Sequence, residues 1–208
     1  MITALFMRCG WLCSAELSHG AALVPPGGAF VHAGGGLHAL LPAARLGAVT
    51  GLAPGMDLGA HYDTVGLVHA FGLTARVGLA RAVALSVTAS HALFAVEELG
   101  GLPFAGAWAG SGTSVGVALR LSTFTRSDVH VAFGLGVSVR VLALRTTELG
   151  LQRVGVFEPH HAFGEVTAEW RRHRGSVFLT FRAEVPLRPE VQLLGYLPTL
   201  LAGRTWSL

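Results

Sequence analysis

The sequence predicts an all-β chain: an antiparallel, up-and-down barrel of about ten strands that spans a membrane, with eight strands as the alternative count. Three observations predict it. The 208 residues are 51% apolar and only 13% charged, where about 25% charged is usual for a soluble domain. The apolar residues recur at period two rather than in long runs. The connections fall into two interleaved sets, one tight and one mostly longer.

Mean hydropathy is +0.55, so the apolar surface must go somewhere. A spanning helix needs about 20 apolar residues. Leu99 to Leu119 carries no charge, but it holds six Gly, Pro103 and three Ser or Thr. Leu17 to Ala44 is broken by Pro25, Pro26, Pro42 and Gly34-Gly35-Gly36. Neither reads as a helix, which leaves strands closed on themselves.

Strand by strand, the first two segments, around Ala29 to Leu40 and Ala43 to Leu52, alternate weakly. Leu58, Ala60 and Tyr62 then alternate with Asp57, Gly59, His61 and Asp63. Phe71, Leu73, Ala75, Val77 and Leu79 oppose Gly72, Thr74, Arg76 and Gly78. Val83, Leu85, Val87 and Ala89 oppose Ser86, Thr88 and Ser90; Val115, Val117, Leu119 and Leu121 oppose Ser114, Gly116, Arg120 and Ser122. The clearest run is Val129, Val131, Phe133, Leu135, Val137, Val139 and Val141, set against His130, Gly134, Gly136, Ser138 and Arg140. Val166, Ala168 and Trp170 alternate with Glu165, Thr167 and Glu169; Val177, Leu179, Phe181, Ala183 and Val185 alternate with Thr180, Arg182 and Glu184. A last segment runs from about Gln192 to Trp206. Successive side chains on a strand point to opposite faces, so each segment is a two-faced ribbon.

The tight connections are Ala53-Pro54-Gly55, Arg81-Ala82, Thr125 to Asp128, and Arg172 to Gly175. The longer set is Thr64 to Val68, Ala95 to Ser111, Arg145 to Pro159 and Pro186 to Glu190, with Leu41-Pro42 as a short exception. A soluble β-barrel that binds apolar ligands would also alternate. Its outward face would then be the Gly, Ala and Ser set, which solubilises poorly. The opposite polarity accounts better for the composition. Leu73, Val77, Leu79, Val115, Val117, Leu119, Val131, Phe133, Leu135, Val137, Val139, Leu179 and Phe181 then face lipid.

With this pattern, and with the alternating end from Tyr196 to Leu208 that carries Arg204 and Trp206, the chain resembles the small bacterial outer-membrane β-barrel proteins. Such chains commonly close on an aromatic-ended strand; here the aromatic lies two residues before the end. The resemblance implies a Gram-negative outer membrane, a signal peptide, and the lipid bilayer and the barrel-assembly machinery as partners. Residues 1 to about 23 are the candidate signal segment, with Cys9, Cys13 and the small-residue stretch Ser18 to Ala22. Arg8 and Glu16 interrupt it, the positive start is missing, and Leu12 before Cys13 fits no lipobox. Residues 24–208 form one barrel domain.

The inward parity collects Arg76, Arg120, Arg140 and Arg182 with Asp57, Glu165, Glu169 and Glu184. A turn at His173-Arg174 puts Arg182 opposite Glu165, where opposite charges support each other. This reads as an ion-pair network plugging a narrow lumen. The ten histidines show no metal spacing: His160 and His161 point to opposite faces, and His61 and His69 fall on one parity but lie eight residues apart across a connection. All fifteen basic residues are Arg, scattered apart from Arg171, Arg172 and Arg174 and without an aromatic platform, so no nucleic acid is implied. No phosphate loop exists in a chain without Lys, and no cofactor is implied.

The expected role is non-enzymatic, a structural or surface-interaction component, with the connections Ala95 to Ser111 and Arg145 to Pro159 available to a surface or periplasmic protein. The alternative from another class is an outer-rim lipid-modifying hydrolase or acyltransferase. There Ser90, Ser111 or Thr113 would supply the nucleophile, His91 the base and Glu97 the orienting acid.

Overall fold

A computed structural model describes residues 23–38, 41–96, 107–124, 129–148, 151–157, 160–172, 175–187 and 198–208. Eleven strands appear: β1 (Ala29–His38), β2 (Leu41–Ala53), β3 (Met56–Val65), β4 (Val68–Ala80), β5 (Val83–Val96), β6 (Ala107–Phe124), β7 (Val129–Glu148), β8 (Leu151–Phe157), β9 (His160–Arg172), β10 (Gly175–Pro186) and β11 (Thr199–Ser207). Each pairs antiparallel with its neighbour, from β1 round to β7, then β9, β10 and β11. The sheet closes because β11 returns to β1, from Phe30↔Ser207 to His38↔Thr199.

The barrel wall has ten strands, since β8 and β9 are two halves of one. Val139 pairs with His160, and Leu142, three residues further, pairs with Phe157, three residues back. Both halves thus hold a single register on β7.

The short connections and both ends of the sheet, Ala29 and Ser207, lie at one end of the barrel. Gly55 there adopts a left-handed conformation, φ 79°, which only glycine takes without strain. Three of the expected connections at the other end shrink. Strand pairing extends to Val65↔Val68, leaving only Gly66-Leu67 between β3 and β4. Arg145 to Pro159 is largely hairpin rather than loop, because β7 runs on to Glu148 and pairs with β8 from Leu151. Val96 pairs with Trp108, so much of Ala95 to Ser111 is also strand. Leu41 and Pro42 open β2 and are not a turn. The last strand starts at Thr199; Gln192 and most of the candidate signal segment lie outside the described residues.

Burial is inverted relative to a water-soluble barrel. Leu135 is 67% exposed while Arg120 is 0% exposed. Thirty large apolar side chains stand exposed among the described residues, nearly all on the outward face of the strands. Soluble monomers rarely show apolar patches above a few hundred Å². On β7 the outward apolar run from Val129 to Val141 spans 13 residues, ample for the ~9–11 that a tilted strand needs to cross a bilayer. Aromatic residues mark its edges: Trp170 and Trp206 near the turn end, with the Arg204 guanidinium 5.6 Å from the Trp206 ring, and Tyr62 near the opposite end, stacked with His69 and tilted against Phe71.

Inside, bulky rings lie over cross-strand glycines. His32 is paired with Gly47, His61 with Gly72, Phe163 with Gly136 and Phe178 with Gly203. An added Cβ at Gly47 or Gly72 would sit 2.2 Å from the facing imidazole Nε2. Glycine is therefore required for the ring to lie flat across the narrow interior. At the turn end, Pro25 to Gly28 folds the chain back, with the Gly28 amide donating to Pro25 O at 2.9 Å. That places Val24, 3% exposed, with its amide donating to Asp57 Oδ2 at 3.0 Å.

Candidate functional site

The inward positions of four strands converge on one chain of charges. Arg120 on β6 donates from Nη1 to Glu165 Oε1 on β9 at 3.0 Å, and from Nε to Ser86 Oγ at 3.1 Å. Glu165 is directly paired with Arg182 on β10, whose Nη1 stands 3.8 Å from Glu165 Oε2. Arg182 Nη2 donates to Glu184 Oε1 at 2.8 Å, and Arg140 Nη2 on β7 donates to Glu184 Oε2 at 2.7 Å. The Arg182 guanidinium also lies over the Phe163 ring, 3.8 Å from its centroid. All five charged residues are buried. The desolvation of each is offset only by its neighbours, so removing one leaves another charge uncompensated.

Two further pairs stand on the other wall. Arg76 grips Asp57 through Nε–Oδ1 at 2.8 Å and Nη2–Oδ2 at 2.5 Å. Arg45 grips Asp63 the same way, at 2.5 Å for both bonds; sequence reasoning missed this pair. The turn alone hides it: carried from Ala53↔Met56 the register would set Arg45 opposite Thr64, and the bulge between Gly51 and Ala53 shifts it by one to Arg45↔Asp63. Glu169 sits apart, accepting from the Ser176 hydroxyl and 3.5 Å from His130 Nδ1. Hydroxyl pairs fill the layers between: Thr74–Thr88 at 3.0 Å, Thr167–Thr180 at 2.9 Å and Ser90–Ser114 at 2.6 Å.

Of the thirteen outward positions singled out from the sequence, Val131 is half-buried and the other twelve are exposed. Of the expected acyl-transfer group, His91 and Thr113 come together and Ser90 stands apart from them. Ser90 faces the interior and is engaged with Ser114, whereas His91 is exposed on the outer face. His91 Nδ1 lies 3.0 Å from Thr113 Oγ1; Ser111 is paired with Leu93, and Glu97 lies outside the described residues. No carboxylate among the described residues is bonded to this His–Thr pair. His61 faces inward and His69 outward, so the two do not share a face. No group of three or more metal-donor side chains occurs among the described residues.

The wall is closed and antiparallel, with charges inside and an apolar band outside. It fits a small outer-membrane β-barrel. No family model matches the chain, and no curated protein matches it. Among solved structures it is similar to the N-terminal β-barrel domain of Pseudomonas aeruginosa OprF, at 9% identity over 88% of this chain and 98% of that one, TM-score 0.43. It is also similar to the translocator domain of the autotransporter NalP from Neisseria meningitidis, at 9% identity, 86% of each chain and TM-score 0.48. Neisserial surface protein A matches at 10% identity, 86% of this chain and 96% of that chain, TM-score 0.43. At these identities and scores the likenesses say nothing of what this barrel does. Its architecture stands on its own strand pairing.

Proposed function

We propose that the chain is an integral outer-membrane protein with a plugged lumen, serving a structural or surface-contact role rather than forming a diffusion channel or an enzyme. The observation that carries this reading is the chain Arg120–Glu165–Arg182–Glu184–Arg140, buried within a wall whose outer face is apolar. Ten strands enclose only a little more room than side chains can fill, and here rings over glycines and paired charges occupy it. The extended β7–β8 hairpin and the adjoining ends of β5 and β6 are the surfaces offered to a partner, a surface or periplasmic protein. The barrel-assembly machinery is the partner in biogenesis, and residues 1 to about 23 are the export signal that precedes the barrel domain.

Planar-bilayer recording from purified protein tests this. The expected result is no persistent unitary conductance. Stable, reproducible open channels contradict the plug.

A further inference from the structure

Near the end of the barrel that carries the β7–β8 hairpin, the lumen holds polar groups that the ion-pair chain does not use. Arg140 is 2% exposed. Its Nη2 is spent on Glu184, but its Nε and Nη1 are buried and meet no acceptor among the described residues. Ser138, two residues back on the same inward face, has a buried hydroxyl with no partner there either. The same holds for Nδ1 of His161, which is paired directly with Ser138 across β7 and β9. On its other side Arg140 is paired with Ser114, whose hydroxyl meets Ser90. Ser138 is paired with Gly116, where an added Cβ would touch only Ser138 Cβ and Val137 O, both at 3.5 Å. Glycine therefore puts no side chain against the strand that carries the unused donors.

Two principles point the same way. Buried donors are almost always satisfied, and a buried charge without compensation is costly. The chain from Arg120 to Arg140 joins three cations to two carboxylates, an excess of one positive charge. We propose that Arg140 and Ser138, with His161 beside them, form a binding site for an oxyanion: the carboxylate or phosphate group of a small solute. The oxyanion accepts from an unused Arg140 N–H and from the Ser138 hydroxyl, and its charge balances the excess. The guanidinium supplies the positive charge and a directed donor to one oxygen of such a group. The site rests on the barrel reading given above.

Calorimetric titration of the detergent-folded full chain, with sodium phosphate and separately with sodium acetate at constant ionic strength, tests this. Saturable binding of phosphate alone assigns a phosphate group; binding of acetate assigns a carboxylate. Arg140→Gln is expected to weaken binding at least tenfold. Gly116→Leu, which fills the space without removing a donor, is expected to do the same, while the outward Arg204→Gln leaves it unchanged. Each variant is checked for a heat-dependent gel shift, so a misfolded Arg140→Gln leaves Gly116→Leu to carry the test. A folded barrel that binds neither anion, or binds with affinity unaltered by these two changes, overturns the site. A wild-type chain with no gel shift instead overturns the barrel reading.

Discussion

Arg120 reaches across an entire strand to meet Glu165, 3.0 Å away, because Gly134 stands between them. A Cβ there would lie 3.6 Å from Glu165 Cβ and 3.8 Å from Arg120 Nη1, so any longer side chain would enter the path of the pair. The glycine on β7 thus lets charges on non-adjacent strands meet inside the wall.

Glu165→Gln should be strongly destabilising. Arg120 loses the carboxylate charge it meets at 3.0 Å while Arg182 keeps its bond to Glu184, and breaking a buried pair from one side costs about 3–5 kcal/mol. Urea unfolding in detergent should show a midpoint shift of that order, with bilayer conductance unchanged. An unchanged midpoint would mean that Glu165 does not hold the lumen together.

Gly72→Ala should cost about 1–3 kcal/mol, since the new methyl meets the His61 ring. Only side-chain atoms of His61 obstruct it, so in a His61→Ala background the same change should be near neutral. Gly136→Ala differs: its methyl would lie 2.4 Å from the backbone oxygen of Val117 as well as 2.6 Å from Phe163. Removing Phe163 should not rescue it. A double-mutant cycle at each glycine checks the contrast.

Leu135→Arg places a charge in the outward band and should cost about 2–4 kcal/mol in a bilayer, whereas Leu187→Arg beyond the end of β10 should cost about 0–1. Folding titrations into lipid vesicles measure both. Equal, negligible effects would indicate that the band faces water.

Asp57→Ala removes the acceptor that holds the Val24 amide and the partner of Arg76. The segment from Leu23 to Gly28 should then become open to proteinase K while the barrel stays resistant. Persistent protection would show that the prolines and the Gly51 hydrogen bonds anchor the segment unaided.

Much of the wall was legible in the sequence because strand periodicity is local: the seven-residue alternation from Val129 to Val141 dictates two faces without knowledge of any partner. The strand ends were less legible. Arg145 to Pro159 is polar and lacks clear alternation, yet pairing on β7 extends order well past the apolar band. The interior was legible only where a turn fixes register, as between Glu165 and Arg182. The ring-over-glycine layers and the Arg45–Asp63 pair depend on cross-strand register in β1 to β3, where Ala and Gly blur the two faces. The separation of Ser90 from His91 follows directly from strand alternation, which puts adjacent residues on opposite faces.

The most direct test of the central claim, an inside-out barrel in the outer membrane, is gel mobility of the outer-membrane fraction with and without boiling. The account predicts a faster band before boiling that shifts to the mobility of the unfolded 21.7 kDa chain afterwards. Recovery in the soluble fraction with a single heat-independent band would contradict it, and the apolar face would then have to be buried against something other than lipid.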